Sequence, residues 1–180
     1  MATLLKTAFV LLLVGLLTHQ AQAQEVIATN DDGSFARNSV FVELGGNALL
    51  YSVNYDHKFF DHASARIGAM YFSVSADDPN SLDGRVSVFL APIMANYLVG
   101  DGNSRLELGA GLVVAGASGS GTVENEQLDE FRGGGVGFTS TVGYRLQPRD
   151  GGFLFRIGFT PIIAPGTFIP WFGLSFGASF

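Results

Sequence analysis

The chain has 180 residues, enough for one domain. Its 16 acidic and 10 basic residues give a net charge of −6, which disfavours nucleic acid as a partner. Cysteine is absent, which excludes structural disulfides and a cysteine-linked lipid anchor, and only 14% of the residues are charged, where about a quarter is usual for a soluble domain.

The N-terminus has the features of an export signal. Lys6 supplies a positive charge, Ala8–Leu17 form a short apolar run, and small residues follow at Ala21 and Ala23. The run is about half of the roughly 20 residues that a membrane-spanning helix needs. Residues 1–23 are therefore predicted to be a signal peptide, cleaved after Ala23. Residues 24–37 are predicted to form a flexible periplasmic segment before a domain at 38–180.

Eight segments of that domain are predicted to be β-strands, because apolar residues alternate over short runs bounded by turn-forming residues. Most have about ten residues or more, long enough to cross a bilayer at a tilt of about 45°. Their predicted bounds are Asn38–Gly46, Leu49–Lys58, Ser64–Val74, Val86–Val99, Arg105–Val114, Val136–Leu146, Phe153–Ile163 and Phe168–Phe180.

The predicted connections differ in length between the two ends of the strands. Tight turns follow strands two, four and six, which is typical of the periplasmic side of a membrane barrel. Gly46-Asn47 is a tight hairpin signal on the other side, where two longer polar loops, Ser75–Arg85 and Ala115–Gly135, are also predicted. The glycine clusters Gly116–Gly121 and Gly133–Gly135 match no phosphate-binding motif and predict flexible loop. An even number of strands places both termini in the periplasm.

The two faces of the strands indicate which side is inside. Strand seven alternates bulky residues such as Phe153, Phe155 and Phe159 with Arg156 and Gly158. The second face of the strands is rich in Gly, Ser and Thr, whereas a water-facing surface would be rich in Lys, Glu and Asp. Small residues suit the narrow interior of an eight-stranded barrel, so the bulky face is expected to face lipid.

A soluble eight-stranded barrel such as a lipocalin is the alternative, and it would place the bulky face inside. The direction of five phenylalanines distinguishes the two: Phe153, Phe155, Phe159, Phe172 and Phe176. Strand four alternates poorly around Pro92, which cannot donate a ladder hydrogen bond and therefore predicts a bulge or local break.

The last predicted strand and the first hairpin carry a family resemblance. Phe172, Phe176 and the terminal Phe180 lie at alternating apolar positions and resemble the C-terminal sorting signal of Gram-negative outer-membrane barrels. The hairpin Val40–Tyr55 is similar to that of small outer-membrane barrels from Bacteroidetes-type bacteria. The chain thus resembles the OmpA transmembrane domain and the OmpX-like proteins.

This resemblance implies an all-β fold, an eight-stranded antiparallel up-and-down transmembrane β-barrel in the outer membrane of a Gram-negative bacterium. It implies outer-membrane lipid and the barrel-assembly machinery as partners, a monomeric state and no cofactor. The expected function is that of a non-enzymatic outer-membrane protein with a structural or surface-interaction role. A small-solute or ion channel and a lipid-modifying outer-membrane enzyme are the alternatives.

Charged residues of the inward parity are the candidate site. Desolvating an unpaired charge is costly, so they are expected to form ion pairs that plug the interior, as in OmpA-like barrels; a gated ion pathway is the alternative. The candidates are Glu43, Asp56, Arg66, Arg105, Glu107, Arg145 and Arg156.

Other polar clusters give weaker predictions. His57 and His62 lie close in sequence to Asp56, Asp61 and Ser64, so a Ser/His/Asp triad is conceivable, but two histidines without a third ligand make no persuasive metal site. A calcium site can be drawn from acidic and amide side chains of the second outer loop, whose spacing does not match an EF-hand. These loop residues are Asp77, Asp78, Asn80 and Asp83. Aromatic residues at the membrane interfaces are expected to be Tyr51, Tyr55, Tyr71, Tyr97, Tyr144 and Trp171, the last of which has inward parity.

Overall fold

The computed structural model describes residues 35–78, 82–123, 126–164 and 166–180. The predicted signal peptide and residues 24–34 of the predicted periplasmic segment lie outside this part of the chain. The elements in chain order are β1 (Asn38–Gly45), a 3₁₀ turn (Gly46–Ala48), β2 (Tyr51–Phe60), β3 (Ala63–Asp78), β4 (Leu82–Val99), β5 (Ser104–Val123), β6 (Glu126–Leu146), β7 (Gly152–Phe159), β8 (Ile162–Ala164), β9 (Thr167–Ile169) and β10 (Phe172–Ser179).

The strands close into a barrel of antiparallel neighbours. β1 pairs with β2 on one side and with β10 on the other, and β5 pairs with β6. β7 and β8 form one wall strand interrupted at Thr160-Pro161, and β9 and β10 form another interrupted at Pro170-Trp171. Proline has no N–H for the ladder, which explains these two breaks. The wall therefore has eight strands, as predicted.

Bulky apolar side chains lie on the outside of this wall. Phe153 and Phe172 are 53% and 69% exposed, and Phe176 is exposed as well. Phe155 and Phe159 are half-buried, and their rings pack against the outer-face rings of Phe176 and Phe172 at centroid distances of 5.5 and 5.2 Å. The predicted outward orientation is confirmed, and the soluble-barrel alternative is wrong. Within the described ranges, no helix is long and apolar enough to cross a membrane.

Four strands extend well beyond the others at one end of the barrel. β3 and β4 remain paired as far as Asp78 and Leu82, and β5 and β6 as far as Val123 and Glu126. We call the extension the rising sheet: residues 71–78, 82–89, 116–123 and 126–134. The predicted loops Ser75–Arg85 and Ala115–Gly135 are therefore wrong over most of their length. Their glycine clusters, predicted to be flexible loop, are paired strand, because ladder hydrogen bonds use backbone groups whatever the side chain.

The chain around Pro92 departs less from regularity than predicted. The β3–β4 ladder pairs Ile67 with Ile93 and resumes at Met70 with Leu90, in unchanged register. Of the two predicted alternatives, the bulge is absent from this ladder, whereas the interrupted pairing between these points is a local break. A Cβ added to Gly68 would lie 3.0 Å from Cγ of Pro92, so glycine leaves the space that the proline ring fills.

The turn between β1 and β2 folds into the mouth of the barrel. Gly45 and Gly46 both have φ of +70°, a conformation that favours glycine, and they direct the chain inward. Asn47 and Ala48 are 0% exposed, and Ala48 packs with Met70, Leu90 and Val113. The hairpin signal at Gly46-Asn47 thus marks a turn that also fills the interior.

The first described residues are hydrogen-bonded to the barrel at the end opposite the rising sheet. The amide of Ala36 donates to the carbonyl of Arg149 at 2.7 Å, and the amide of Lys58 donates to the carbonyl of Arg37 at 2.7 Å. Ala36 and Arg37, the last residues of the predicted flexible segment, are therefore held against the barrel rim.

Candidate functional site in the barrel interior

Six of the seven charged candidates form one continuous chain of alternating sign inside the barrel. Its members in order are Arg66, Glu43, Arg156, Glu107, Arg145 and Asp56, and their successive N–O distances are 3.3, 3.5, 2.7, 3.9 and 2.9 Å. All six are buried. Three carboxylates thus face three guanidinium groups, so the charge of this buried chain is balanced.

Arg156 and Glu107 form its centre. Nε and Nη2 of Arg156 donate to the two carboxylate oxygens of Glu107, both at 2.7 Å. Such a two-pronged pair is among the stronger side-chain interactions. The guanidinium of Arg156 also lies 4.7 Å from the centre of the Phe41 ring, an apolar side chain that points inward. Phe41 thereby closes space beside the pair.

Asp56 is the most thoroughly bonded carboxylate toward the end with the tight turns. Its oxygens accept hydrogen bonds from Arg145 at 2.9 Å, Ser64 at 2.9 Å and Asn96 at 3.3 Å. Arg145 in turn donates from Nε to Gln147 at 2.9 Å. This environment satisfies the charge of Asp56 and uses the hydroxyl of Ser64 as a donor.

A second ion-pair group closes this end at the rim. Asp61, in the turn between β2 and β3, accepts from Arg105 at 3.0 Å and from Arg149 at 2.9 Å. Partial burial by itself would raise the pKa of the Asp61 carboxyl, but the hydrogen bond and charge of Arg105, with the charge of Arg149, lower it below its usual range. Arg105, the seventh candidate, therefore belongs to the rim group and not to the central chain.

Asn47 continues the network toward the rising sheet. Its side-chain amide donates to Thr139 at 2.6 Å, and its side-chain oxygen accepts from Arg66 and, at 3.3 Å, from Thr141. The inward turn therefore caps the ion-pair chain directly. Sequence reasoning identified Asn47 as a turn residue and missed this role, because the contact depends on Thr139, 92 positions away.

Little space remains inside this part of the barrel. A cavity bordered by Glu43, Glu107 and Arg156 has a volume of about 10 Å³, close to the minimum for a single water molecule. A row of paired glycines on neighbouring strands, Gly143 with Gly158 and Gly158 with Gly173, keeps the wall thin where the turn enters. A Cβ on Gly173 would lie 2.8 Å from Cα of Gly46.

The histidines do not join a catalytic arrangement in the described structure. Nδ1 of His57 is 2.8 Å from Oδ1 of Asn38, and Nδ1 of His62 is 2.9 Å from the carbonyl oxygen of Leu98. Ser64 donates to Asp56 without a histidine between them. Among the described residues, no three His, Cys, Asp or Glu side chains come together as metal ligands. Asn80 of the conceivable calcium site lies outside the described residues.

The remaining candidates lie on the outer surface and at the rims. Phe172, Phe176 and Phe180 are exposed, and Phe180 exchanges backbone hydrogen bonds with Asn38 at 2.8 and 2.9 Å. Trp171 is 38% exposed and donates to the carbonyl of Leu49 at 2.8 Å, so it braces the inward turn from the rim. The five tyrosines predicted for the membrane interfaces are all exposed.

The fold was compared with solved structures. The chain is similar to Ail, the attachment invasion locus protein of Yersinia pestis, with a TM-score of 0.52 at 10% identity, over 80% of this chain and 99% of that one. The structure of Ail in complex with the heparin analogue sucrose octasulfate gives a TM-score of 0.57 at the same identity and coverage. The N-terminal β-barrel domain of Pseudomonas aeruginosa OprF gives 0.51 at 16% identity, over 80% and 96%.

The fold is that of the small OmpA/OmpX-like barrels. No protein-family model matches the sequence, and no curated protein does. At these identities, the likeness to Ail and OprF concerns the course of the backbone. The ion-pair chain, the inward turn and the rising sheet are therefore assigned from the residues of this OmpA/OmpX-like barrel itself.

Proposed function

We propose that the protein is a non-enzymatic integral outer-membrane barrel with a structural or surface-interaction role. One observation carries this: bulky apolar side chains cover the outside of the wall while paired charges fill the inside. Apolar patches of this extent are unusual on soluble monomers, whereas closed barrels with an apolar outer band are suited to lipid. Outer-membrane lipid is then the first partner, and the barrel-assembly machinery acts during biogenesis.

The filled interior favours this role over that of a channel. The buried ion-pair chain runs across the lumen, and Asn47 and the apolar cluster around Ala48 close it toward the rising sheet. In planar bilayers the purified protein should give no steady conductance above that of detergent controls. Reproducible single-channel steps from the folded protein would make the channel alternative the better one.

The bonding of the polar side chains favours a non-enzymatic role. His57 and His62 each contact a group other than Ser64, and the Asp56 carboxylate is saturated by donors. Ser64 donates to Asp56 at 2.9 Å, but Arg145 and Asn96 hold the same carboxylate, which makes it a weak base. Within the described interior no histidine bonds to Ser64, so the serine lacks the base that would activate it as a nucleophile.

The rising sheet is the part of the molecule suited to surface contacts. With the tight turns and both termini in the periplasm, this sheet extends from the outer surface of the cell. The solved structures similar to this chain include a protein named for attachment and invasion, which is consistent with such a role. We propose that the barrel acts as a monomer.

Cell fractionation tests the location. The mature protein should be recovered with the outer membrane and, when folded in detergent, should migrate differently on a gel before and after boiling, because a closed barrel resists unfolding by detergent. Recovery in the soluble periplasmic fraction, with equal migration of boiled and unboiled samples, would contradict the proposal.

A further inference from the structure

The outer face of the wall changes from apolar to polar at one level of β3–β6. One cross-strand row consists of Ile67, Ile93, Leu112 and Phe138, all exposed and apolar. Six residues further along β3, on the same face, the corresponding row consists of Ser73, Ser87, Ser118 and Arg132. Six residues span about 20 Å along a strand, or about 14 Å in height at a tilt of 45°. The apolar band of the outer face therefore ends between these two rows.

Two arginines lie at this polar level. Arg85 is the cross-strand neighbour of Ser120, and Arg132 is the neighbour of Ser118. Because β5 alone separates β4 from β6, the two arginines flank the same pair of serines, and both line one depression of about 90 Å³. Two exposed guanidinium groups above a row of hydroxyls can surround an oxyanion.

The contacts of Arg85 and Arg132 within the protein leave most of their guanidinium N–H donors available for a ligand. Nε of Arg85 donates to Ser75 at 3.2 Å, and Nη2 of Arg132 lies 3.5 Å from Glu130 across an exposed ion pair. Exposed ion pairs contribute little, so an anion with several acceptor oxygens can compete with Glu130 for Arg132.

An apolar depression lies directly beside the arginines on the side of the apolar band. It has a volume of about 310 Å³, and its lining includes Tyr71, Phe89, Gly116 and Arg132. A Cβ on Gly116 would meet no atom within 4 Å, so the missing side chain leaves this surface open. The order along the outer wall is therefore apolar band, apolar depression and arginine pair, which matches the acyl chain, linker and phosphate of a lipid.

We propose that Arg85 and Arg132, with Ser87, Ser118 and Ser120, bind the phosphorylated headgroup of a lipid in the leaflet that surrounds the base of the rising sheet. This inference rests on the proposed membrane location. The site is specific to a lipid, and not to a free anion, because the apolar depression supplies part of the contact. Two arginines on this face stand out in a chain whose net charge is −6.

Native mass spectrometry of the folded protein in a neutral detergent tests the site. The probes are dimyristoyl phosphatidylglycerol, dimyristoylglycerol, which has the same chains without the phosphate, and inorganic phosphate. The folded protein should retain the phospholipid at least about tenfold better than the diacylglycerol, given the strength of charge-assisted hydrogen bonds. Inorganic phosphate should compete only at concentrations far above those of the phospholipid.

Matched variants separate the site from general charge attraction. R85Q/R132Q should lower retention of the phospholipid about tenfold, R85K/R132K should retain part of it, and E130Q should strengthen it because Arg132 loses its competitor. R149Q, an arginine at the opposite rim that is 49% exposed, should have no effect. Unboiled gel migration checks that each variant is folded.

Three results would overturn the proposal: equal retention of the two lipids, an unchanged R85Q/R132Q variant, or an equal loss in R149Q. Equal competition by inorganic phosphate would reduce the site to an anion site without a lipid. Cell fractionation is independent of these measurements. A protein that fractionates with the outer membrane but shows no headgroup preference loses only this inference.

Discussion

Arg156 and Glu107 form a buried ion pair, and an uncompensated charge at this place is energetically costly. E107Q should lower the free energy of unfolding by about 3–5 kcal/mol, since it leaves three buried guanidinium groups with only two carboxylates in the ion-pair chain. The double variant E107Q/R156Q should recover part of the loss. Urea titration in detergent micelles, followed by the fluorescence of the single tryptophan, measures both.

The control for this pair is E130Q, whose partner Arg132 is exposed and which should change stability by less than about 0.5 kcal/mol. The opposite result is that the double variant E107Q/R156Q loses more free energy of unfolding than E107Q and R156Q lose together. That result would mean that Glu107 depends mainly on Arg145, 3.9 Å away.

Asp61 gives the rim group a pH dependence. A folded-state pKa below the unfolded value, about 3.9, means that the ionised carboxylate stabilises the fold above that pH and that the contribution is lost as pH falls through the folded pKa. D61N should therefore be less stable than the natural protein between pH 5 and 8. The gap should narrow below about pH 4. A gap that stays constant down to pH 2 would show that Asp61 acts without its charge.

Among the elements, the inward 3₁₀ turn has the most specific contacts. N47A should lower the free energy of unfolding by about 1–3 kcal/mol, because it removes bonding partners of Arg66 and Thr139 within the interior. The same urea titration measures it. N103A, which removes an exposed hydrogen bond from the amide of Arg149 to the side-chain oxygen of Asn103 in a tight turn at the other end, should cost less than about 1 kcal/mol. Equal losses would mean that the turn does not brace the interior.

The strands themselves were predictable where one face is apolar. Alternation located all eight wall strands and the outward direction of residues such as Phe153, because a period of two is fixed by the pleat. Beyond Val74 on β3 and Val86 on β4, and in the part of β5 and β6 that belongs to the rising sheet, the alternation fades. Both faces of the rising sheet are in water or at its boundary there, and serine and glycine rows such as Ser118 and Gly116 carry no hydrophobic signal. The strands of the rising sheet pair there because the backbone ladders of the wall below continue into it.

At the scale of the whole molecule, the predicted sorting role of the Phe180 ring can be tested separately from the backbone hydrogen bonds of this residue. F180A keeps the backbone hydrogen bonds to Asn38 but removes the exposed ring, so the refolded protein should be as stable as the natural one. If the ring is a sorting signal, the amount of folded barrel in the outer membrane should fall severalfold. F60A, which removes a ring that is 70% exposed on β2, is the matched control and should assemble normally.

Parity identified the seven predicted charges as buried but missed Lys58, which is 1% exposed, and it did not identify their partners. Glu107 on β5 reaches Arg156 on β7 across the lumen, and Glu43 on β1 reaches Arg66 on β3. These distances depend on strand tilt and shear, which the alternation of a single strand does not contain. The contact of Asn47 with Thr139 was hidden for the same reason.

The seam between β1 and β10 has a kinetic consequence. It joins Ser39 to Ser179 and Gly45 to Gly173, so the contacts that close the ring have nearly the largest sequence separation that the described chain allows. Closing such a long loop is entropically expensive, and proteins dominated by distant pairings fold slowly. Until β10 arrives, β1 and β7 each present a bare edge to other chains. Folding should therefore end in one late, cooperative step, with the incomplete sheet as the species most prone to aggregation.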